Sequence, residues 1–156
     1  MGKTVSYVTY YQSPLGKLKL EGHDTALTGL CFVGDEEVFT TSHRVGVLGS
    51  VCLQLDEYFD GSRTQFDLPI ELDGTEFQRA VWRYAATLSY GSTCSYRQLA
   101  ERIGRLTACR AVAQALGKNP LLLVVPCHRV VGDDGALRGY SGGVERKEWL
   151  LNHEKE

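Results

Sequence analysis

The first third of the chain alternates apolar with polar positions. "VSYVTYYQ" (5–12) is aromatic and β-branched, "SPLG" is a turn, "KLKLE" (17–21) keeps period two, and "ALTGLCFV" (26–33) gives a third strand. Over 46–60 the period lengthens: Leu48, Val51, Cys52, Leu55, Tyr58 and Phe59 fall at helical spacing, and Gly61 stands where a helix stops. "TQFDLPIELDG" (64–74) is an extended link that places a domain boundary near residue 70. Beyond it the pattern is helical. Thr75 with Gln78 forms a capping box before Phe77, Val81, Trp82, Ala85 and Leu88, and Ser95 with Gln98 forms another before Leu99, Ala100 and Ile103. Gly104 ends that helix, Thr107 opens "TACRAVAQAL", and Gly117 closes it. Two short helices around a glycine turn have the form of a helix-turn-helix.

After Asn119 the run "LLLVVP" (121–126) predicts a buried strand or extended segment, and "GDDG" (132–135) a turn. "GYSGG" (139–143) predicts a tight loop. "VERKEWLLNHE" (144–154) predicts a last helix with Trp149 and Leu150 on its inner face. The expected fold class is α+β. An N-terminal antiparallel β-sheet plus one helix (1–70) packs on a mostly helical C-terminal domain (71–156) with a winged-helix-like helix-turn-helix.

Composition narrows the class. At 156 residues, with 43% hydrophobic and 23% charged residues, the chain is that of an ordinary globular protein. No apolar run reaches the roughly 20 residues of a membrane span, and no basic-then-apolar leader opens the chain. The five scattered cysteines (Cys31, Cys52, Cys94, Cys109, Cys127) include no C-x-x-C pair. That pattern suggests a reducing, cytoplasmic setting rather than a disulfide framework or a zinc ribbon.

The net charge of −2 hides an asymmetry. Residues 1–70 hold five Lys/Arg against nine Asp/Glu, a net −4, whereas 71–156 hold twelve against ten, a net +2. Within 97–118, Arg97, Arg102, Arg105, Arg110 and Lys118 face Glu101 alone. This basic stripe suits phosphate, although a solvated helical face would look the same.

The sharpest chemical signal is "PCHRVV" (126–131), where an apolar run ends in a thiol, an imidazole and a guanidinium. Buried cysteines are commonly inert. Here, however, cations and a histidine flank the sulfur, and such neighbours are expected to lower a thiol pKa and supply thiolate near neutral pH. On an extended segment adjacent side chains point apart, so His128 need not touch the sulfur. The helix from Thr107 adds a second signal. Ala108, Cys109, Ala111, Ala113 and Ala115 make it thin, with Arg110 its one long central side chain. High helix propensity alone would favour these alanines. A thin helix is also what a minor groove about 6 Å wide could tolerate.

"PCHRVV", preceded by "SYRQLA" and "RAVAQALGKNP" and followed by "GYSGGVERKEWLLNHE", resembles the O6-alkylguanine-DNA alkyltransferases, over residues 75–154. The N-terminal third is similar only in length and in its strand-then-helix pattern, for which the resemblance implies a ribonuclease H-like support domain. It implies that Cys127 accepts the alkyl group irreversibly, that His128 is its base acting through a water, that Glu154 orients His128, and that Asn119 braces the network. Tyr96 would donate to the departing guanine. Val130 would offer a backbone contact to the base, and Tyr140, Ser141 and Gly142 would wall its pocket. Arg110 would fill the hole left by the rotated nucleotide, with Thr107, Ala108, Ala111 and Gln114 on the same DNA-facing helix. The implied partner is double-stranded DNA bearing O6-alkylguanine, approached through the minor groove and mostly without sequence preference. A monomer is expected, with no cofactor and no metal, since Cys31, Cys52, His23 and His43 do not map onto a four-ligand zinc site.

The physics of extrusion agrees with these roles. An O6 within the duplex is out of line for sulfur attack, and flipping costs a few kcal/mol, less for a poorly paired base. Departures from the family pattern (Leu106, Leu88–Ser89 and Ala113) touch none of the proposed reacting groups. Two other classes stay in view. A non-reacting DNA-binding module would lack Cys127, and a transcription factor would carry larger polar readers in place of the alanines. A thiol hydrolase would use Cys127 and His128 in multiple turnovers.

Overall fold

Three strands open the computed structural model, which describes residues 6–34, 46–105, 107–137 and 140–155. His43, Leu106 and Gly139 lie outside the described residues. The chain divides into two compact units, Met1–Leu72 and Asp73–Glu156.

In the first unit β1 (Tyr7–Ser13), β2 (Gly16–Gly22) and β3 (Leu27–Phe32) form an antiparallel sheet in that order. Period two decides which face is buried: Thr9 and Tyr11 on β1 stand opposite Leu20 and Leu18 on β2, and all four point inward. Helix α1 (Val47–Phe59) buries Leu48, Val51, Cys52, Leu55 and Tyr58, and Gly61, at φ +88°, ends it. Phe59, expected inside, is half-buried and stacks on Tyr11 at 6.4 Å. Gln54 is buried instead. Its amide clips both backbone groups of Asp67, at 2.8 and 2.9 Å, fixing the link that follows α1. That link then pairs with β3, where Leu27 donates to Pro69 O and accepts from Glu71 N.

In the second unit α2 (Glu76–Ala85) and α3 (Tyr96–Arg102) both begin with complete capping boxes, Thr75 with Gln78 and Ser95 with Gln98. Gly104, at φ +76°, turns the chain out of α3. Helix α4 (Cys109–Gly117) starts later than the spacing predicted, with Ala108 rather than Thr107 at its N-cap. Val81, Trp82 and Ala85 of α2 and Val112, Ala115 and Leu116 of α4 are buried in the core of this unit. Each large one is worth about 1.5–3 kcal/mol on burial. The Trp82 indole donates to Ala115 O at 2.8 Å, locking α2 to the last turn of α4. Helix α5 (Val144–Glu154) ends the chain. Its inner face carries Lys147, Leu150 and Glu154. Trp149, expected there, is half-buried and stacks on His153 at 5.0 Å.

The largest local correction concerns "LLLVVP". All of its residues but the half-buried Val124 are buried, yet they form a tight reversal and not a strand. Val125 N returns to Leu121 O at 2.9 Å, and Leu123 sits at φ +72°. Hydrophobicity reported the burial; nothing in the run could report the left-handed residue, which only Gly adopts freely. Among the described residues no helix is long and apolar enough to cross a membrane.

Candidate functional site

The reversal delivers Pro126 into a one-turn 3-10 helix, Cys127–Arg129, whose three side chains are all buried. Asn119, two residues past α4, fixes this turn from inside. Its Nδ2 donates to Val125 O at 2.8 Å and to Cys127 Sγ at 3.1 Å, and its Oδ1 accepts from Leu121 N at 2.9 Å. Directly after the turn β5 (Val130–Val131) pairs in parallel with β4 (Cys94–Ser95). Tyr96, the next residue after β4, opens α3 at that point.

Cys127 is 3% exposed. Burial pushes its thiol up to about 11; the Asn119 hydrogen bond and the Lys147 charge oppose that shift without reversing it. The expectation of a standing thiolate is therefore corrected. The resting sulfur holds its proton, because desolvating an anion outweighs two favourable neighbours. A base has to remove that proton.

His128 is placed to be that base. Its Nε2 lies 2.7 Å from Glu154 Oε2 in a fully buried pair, while Nδ1 has no hydrogen-bond partner among the described residues. An ionised carboxylate only accepts, so Nε2 carries the hydrogen and Nδ1 keeps the lone pair. Burial lowers the imidazole's affinity for a second proton; the Glu154 hydrogen bond pulls the other way. No hydrogen bond joins His128 to Cys127 among the described residues. Glu154 is also forked by Arg129, Nε to Oε1 at 2.7 Å and Nη2 to Oε2 at 3.0 Å.

Tyr140 is buried edge-on to His128, ring centroids 6.4 Å apart. Its hydroxyl has no partner among the described residues. Burial raises its pKa well above 10. Lys147 donates from Nζ to the Tyr96 hydroxyl at 3.3 Å and lies 5.6 Å from that ring's centroid. Burial lowers its ammonium to about 8. Beside Tyr96 opens a cleft of about 440 Å³ lined by Tyr96, Arg97, Cys109, Gly132, Asp133 and Asp134. Cys127 does not line it.

The cleft beside Tyr96 is lined by none of Val130, Tyr140, Ser141 and Gly142, but a buried thiol in one turn with an imidazole backed by a buried carboxylate is the arrangement that the alkyl-acceptor resemblance implies. Comparison with known proteins agrees. Residues 76–156 match the model of the 6-O-methylguanine DNA methyltransferase DNA-binding domain, and residues 6–72 match that of the same proteins' ribonuclease-like domain. The chain belongs to the 6-O-methylguanine DNA methyltransferase family.

It is 43% identical over 146 residues to the methylated-DNA–protein-cysteine methyltransferase of Mycobacterium tuberculosis, covering 92% of this chain and 88% of the relative. The solved M. tuberculosis O6-methylguanine methyltransferase superposes with a TM-score of 0.88 at 40% identity, over 97% of this chain and 93% of that one. An M. tuberculosis OGT structure in complex with DNA gives 0.86 at 42% identity, over 95% and 92%. The protein is thus a DNA-repair enzyme that acts by alkyl transfer, and DNA is its partner.

Within this methyltransferase the predicted site residues fall into two groups. Cys127, His128, Glu154, Asn119 and Tyr140 are buried in and around the Cys127–Arg129 turn, and Val130 is buried just beyond it. Tyr96 is half-buried at the cleft. Gly142 is buried and accepts from Arg146 Nη1 through its carbonyl at 3.2 Å, whereas Ser141 is exposed. Thr107, Arg110, Ala111 and Gln114 are all exposed, and Ala108 is half-buried. Gln114 follows Arg110 and Ala111 by four and three residues, which puts these three on one face of α4, while Thr107 lies before its N-cap. The stripe residues Arg97, Arg102, Arg105 and Lys118 are exposed as well. Sequence reasoning missed Lys147 and Arg129 as site residues. Arg129 stood in the quoted motif. Lys147, four residues after Gly143, could be found only by asking why a helix places a lysine one turn before the buried Leu150.

Proposed function

We propose that this protein rotates O6-alkylguanine out of double-stranded DNA and moves the alkyl group, once and irreversibly, onto Cys127. The observation that carries the reading is the Glu154–His128 pair, which ends on a free Nδ1 lone pair in the same one-turn helix as the buried thiol. In this reading Asp73–Glu156 binds DNA and accepts the alkyl group, and Met1–Leu72 supports it.

The steps balance as a single displacement. The Cys127 proton passes through a bridging water to His128 Nδ1, and the charge formed on the imidazole is matched by Glu154. The sulfur attacks the alkyl carbon, an S–C bond forms, and the C–O6 bond breaks with its electron pair going to the guanine. Tyr96 donates a proton to the guanine ring as it leaves, so the base departs neutral. The Lys147 ammonium, already bonded to the Tyr96 oxygen, stabilises the resulting phenolate until the proton left on His128 is returned through solvent. No cofactor enters. The site does not regenerate, because a thioether has no proton to give back and is a poor leaving group.

Binding rests on the exposed cations of α3, α4 and their connection. Arg110 enters the stack in place of the flipped nucleotide, and Thr107, Ala108, Ala111 and Gln114 lie along the minor groove. Val130 meets the base through its backbone, and Tyr140, Ser141 and Gly142 wall it. The protein works as a monomer, and its five free thiols suit a reducing cytoplasm.

Duplex DNA carrying labelled O6-methylguanine tests the reading directly. One equivalent of label should move to protein, as a single mass increment on the peptide containing Cys127, and none should move in Cys127→Ala. Label retained on DNA, turnover beyond one equivalent, or unchanged transfer in Cys127→Ala would overturn it.

A further inference from the structure

Arg129 has no place in the proton path described above, yet it is buried and uses three of its donors. Two go to the two oxygens of Glu154, and Nη1 donates to Leu88 O at 2.7 Å in the link after α2. The guanidinium carbon also lies 5.7 Å from the Tyr90 ring centroid. Glu154 Oε2 therefore accepts from both His128 and Arg129. A carboxylate held by a planar fork cannot rotate away from a third donor.

Charge matters as much as orientation. A carboxylate paired with histidine alone, in a dry site, would draw a second proton onto the imidazole, and a protonated Nδ1 cannot accept the thiol proton. We propose that Arg129 is the positioning residue that keeps His128 a neutral base: by forking Glu154 it fixes that carboxylate against Nε2 and compensates its charge. The groups that face His128 are Glu154 and Lys147 from α5, Cys127 and Arg129 from its own turn, and Tyr140 from the preceding loop. Only Glu154 favours the imidazolium, while Arg129, Lys147 and burial oppose it. Lys147 is engaged with Tyr96, whereas Arg129 binds the carboxylate itself.

The inference rests on the reading of Cys127 as acceptor, and the test separates the two. Transfer by the wild-type protein is measured first, since absence of transfer there defeats that reading and not the role of Arg129. Single-turnover rates are then taken from pH 5 to 9 for wild type, Arg129→Met, Arg129→Lys and Arg129→Met/Glu154→Gln. Arg129→Met should move the acid limb up by about one unit, a loss of about tenfold in that limb that recovers as pH rises. Arg129→Lys should fall between the two. The double variant should lose the upward shift, because no uncompensated carboxylate remains. A loss by the same factor at every pH, or an unmoved limb, overturns the proposal. Should Arg129→Met fail to fold, nitrogen NMR of His128 in wild type and Arg129→Lys decides: a ring that takes its second proton at higher pH in Arg129→Lys supports it, and the same titration in both proteins overturns it.

Discussion

Asn119 and Cys127 are joined by a hydrogen bond in which one amide hydrogen of Asn119 points at the sulfur, 3.1 Å away. The same side chain holds Val125 O and Leu121 N, so a single residue both shapes the reversal and polarises the thiol. Asn119→Ala leaves the buried Leu121 N unpaired, at about 1–3 kcal/mol, and takes from Val125 O one donor while Cys127 N still serves it. It also removes one of the effects that hold the thiol pKa down. The variant should melt several degrees lower and, where still folded, transfer its alkyl group at least tenfold more slowly. Asn119→Asp keeps the Leu121 contact but sets a carboxylate beside the sulfur, so it should be slower than wild type with a smaller loss of stability. Thermal denaturation paired with a transfer assay checks both, and equal activity across the three proteins would remove Asn119 from the mechanism.

Lys147 and Cys127 shift in opposite directions, and the stability curve should record each. Lys147 is lowered to about 8 from 10.5 by burial, so its ammonium weakens the fold at every pH below about 8. That penalty is relieved as pH climbs towards 10.5, where the unfolded chain binds the extra proton. Cys127 is raised to about 11 from 9.0, also by burial, so the unfolded thiol ionises first and stability falls between 9 and 11. Cys127→Ala should therefore gain stability as pH rises above about 8, and Lys147→Met should only lose it above about 9. At pH 7 Lys147→Met should be more stable than wild type by about 1 kcal/mol or more, since a buried charge is gone. Its transfer rate should nonetheless drop about tenfold as the thiol pKa rises by about a further unit. Calorimetry across pH checks the first part; a Lys147→Met protein less stable than wild type at pH 7 would contradict it.

Much of this was legible in the chain. Capping boxes at Thr75–Gln78 and Ser95–Gln98, strand alternation at Thr9, Tyr11, Leu18 and Leu20, and the glycine stops at 61 and 104 are local rules, and the fold obeys them. The thiol, the imidazole and the distant Glu154 came from the quoted motifs. The charge state of Cys127 was not legible, because counting cations nearby says nothing of how dry the sulfur is. Nor was the turn at Leu123, where one residue takes a backbone angle its type avoids. Lys147 and Arg129 show a third kind of gap. Charged residues read as surface until the partner that permits their burial is known.

Arg97 and Asp133 form an ion pair at 3.3 Å on the rim of the cleft beside Tyr96, both more than half exposed. Such a pair is worth about 0–1 kcal/mol, so a phosphate can displace Asp133 from the guanidinium at little cost. Until it does, the carboxylate cancels one cation of the stripe proposed to meet DNA. Asp133→Asn should raise affinity for duplex DNA severalfold at low salt and steepen the salt dependence by about one phosphate contact. Arg97→Ala should do the reverse. Fluorescence anisotropy at several salt concentrations reads both, and parallel slopes for the three proteins would show that Arg97 never meets the backbone.

Gly74 stands just before the cap of α2, where a methyl group would lie 2.7 Å from the Trp82 ring and from Gln78 Oε1. Gln78 could move, at the expense of its half of the capping box. The indole cannot follow freely, because its Nε1 is fixed to Ala115 O in the last turn of α4. Gly74→Ala should cost about 1–3 kcal/mol, as overpacking does, and lower the thermal midpoint by about 2–4 °C for each kcal/mol. Trp82→Phe takes the indole donor from Ala115 O, which keeps Lys118 N, and shrinks a buried ring, so it should cost a similar amount. If the clash acts through the ring, the smaller phenyl yields and the double variant is less destabilised than the sum of the singles, a coupling of about 0.5 kcal/mol or more. Strict additivity in denaturant titrations would mean that the added methyl is accommodated by the turn before Thr75 and never presses on the tryptophan.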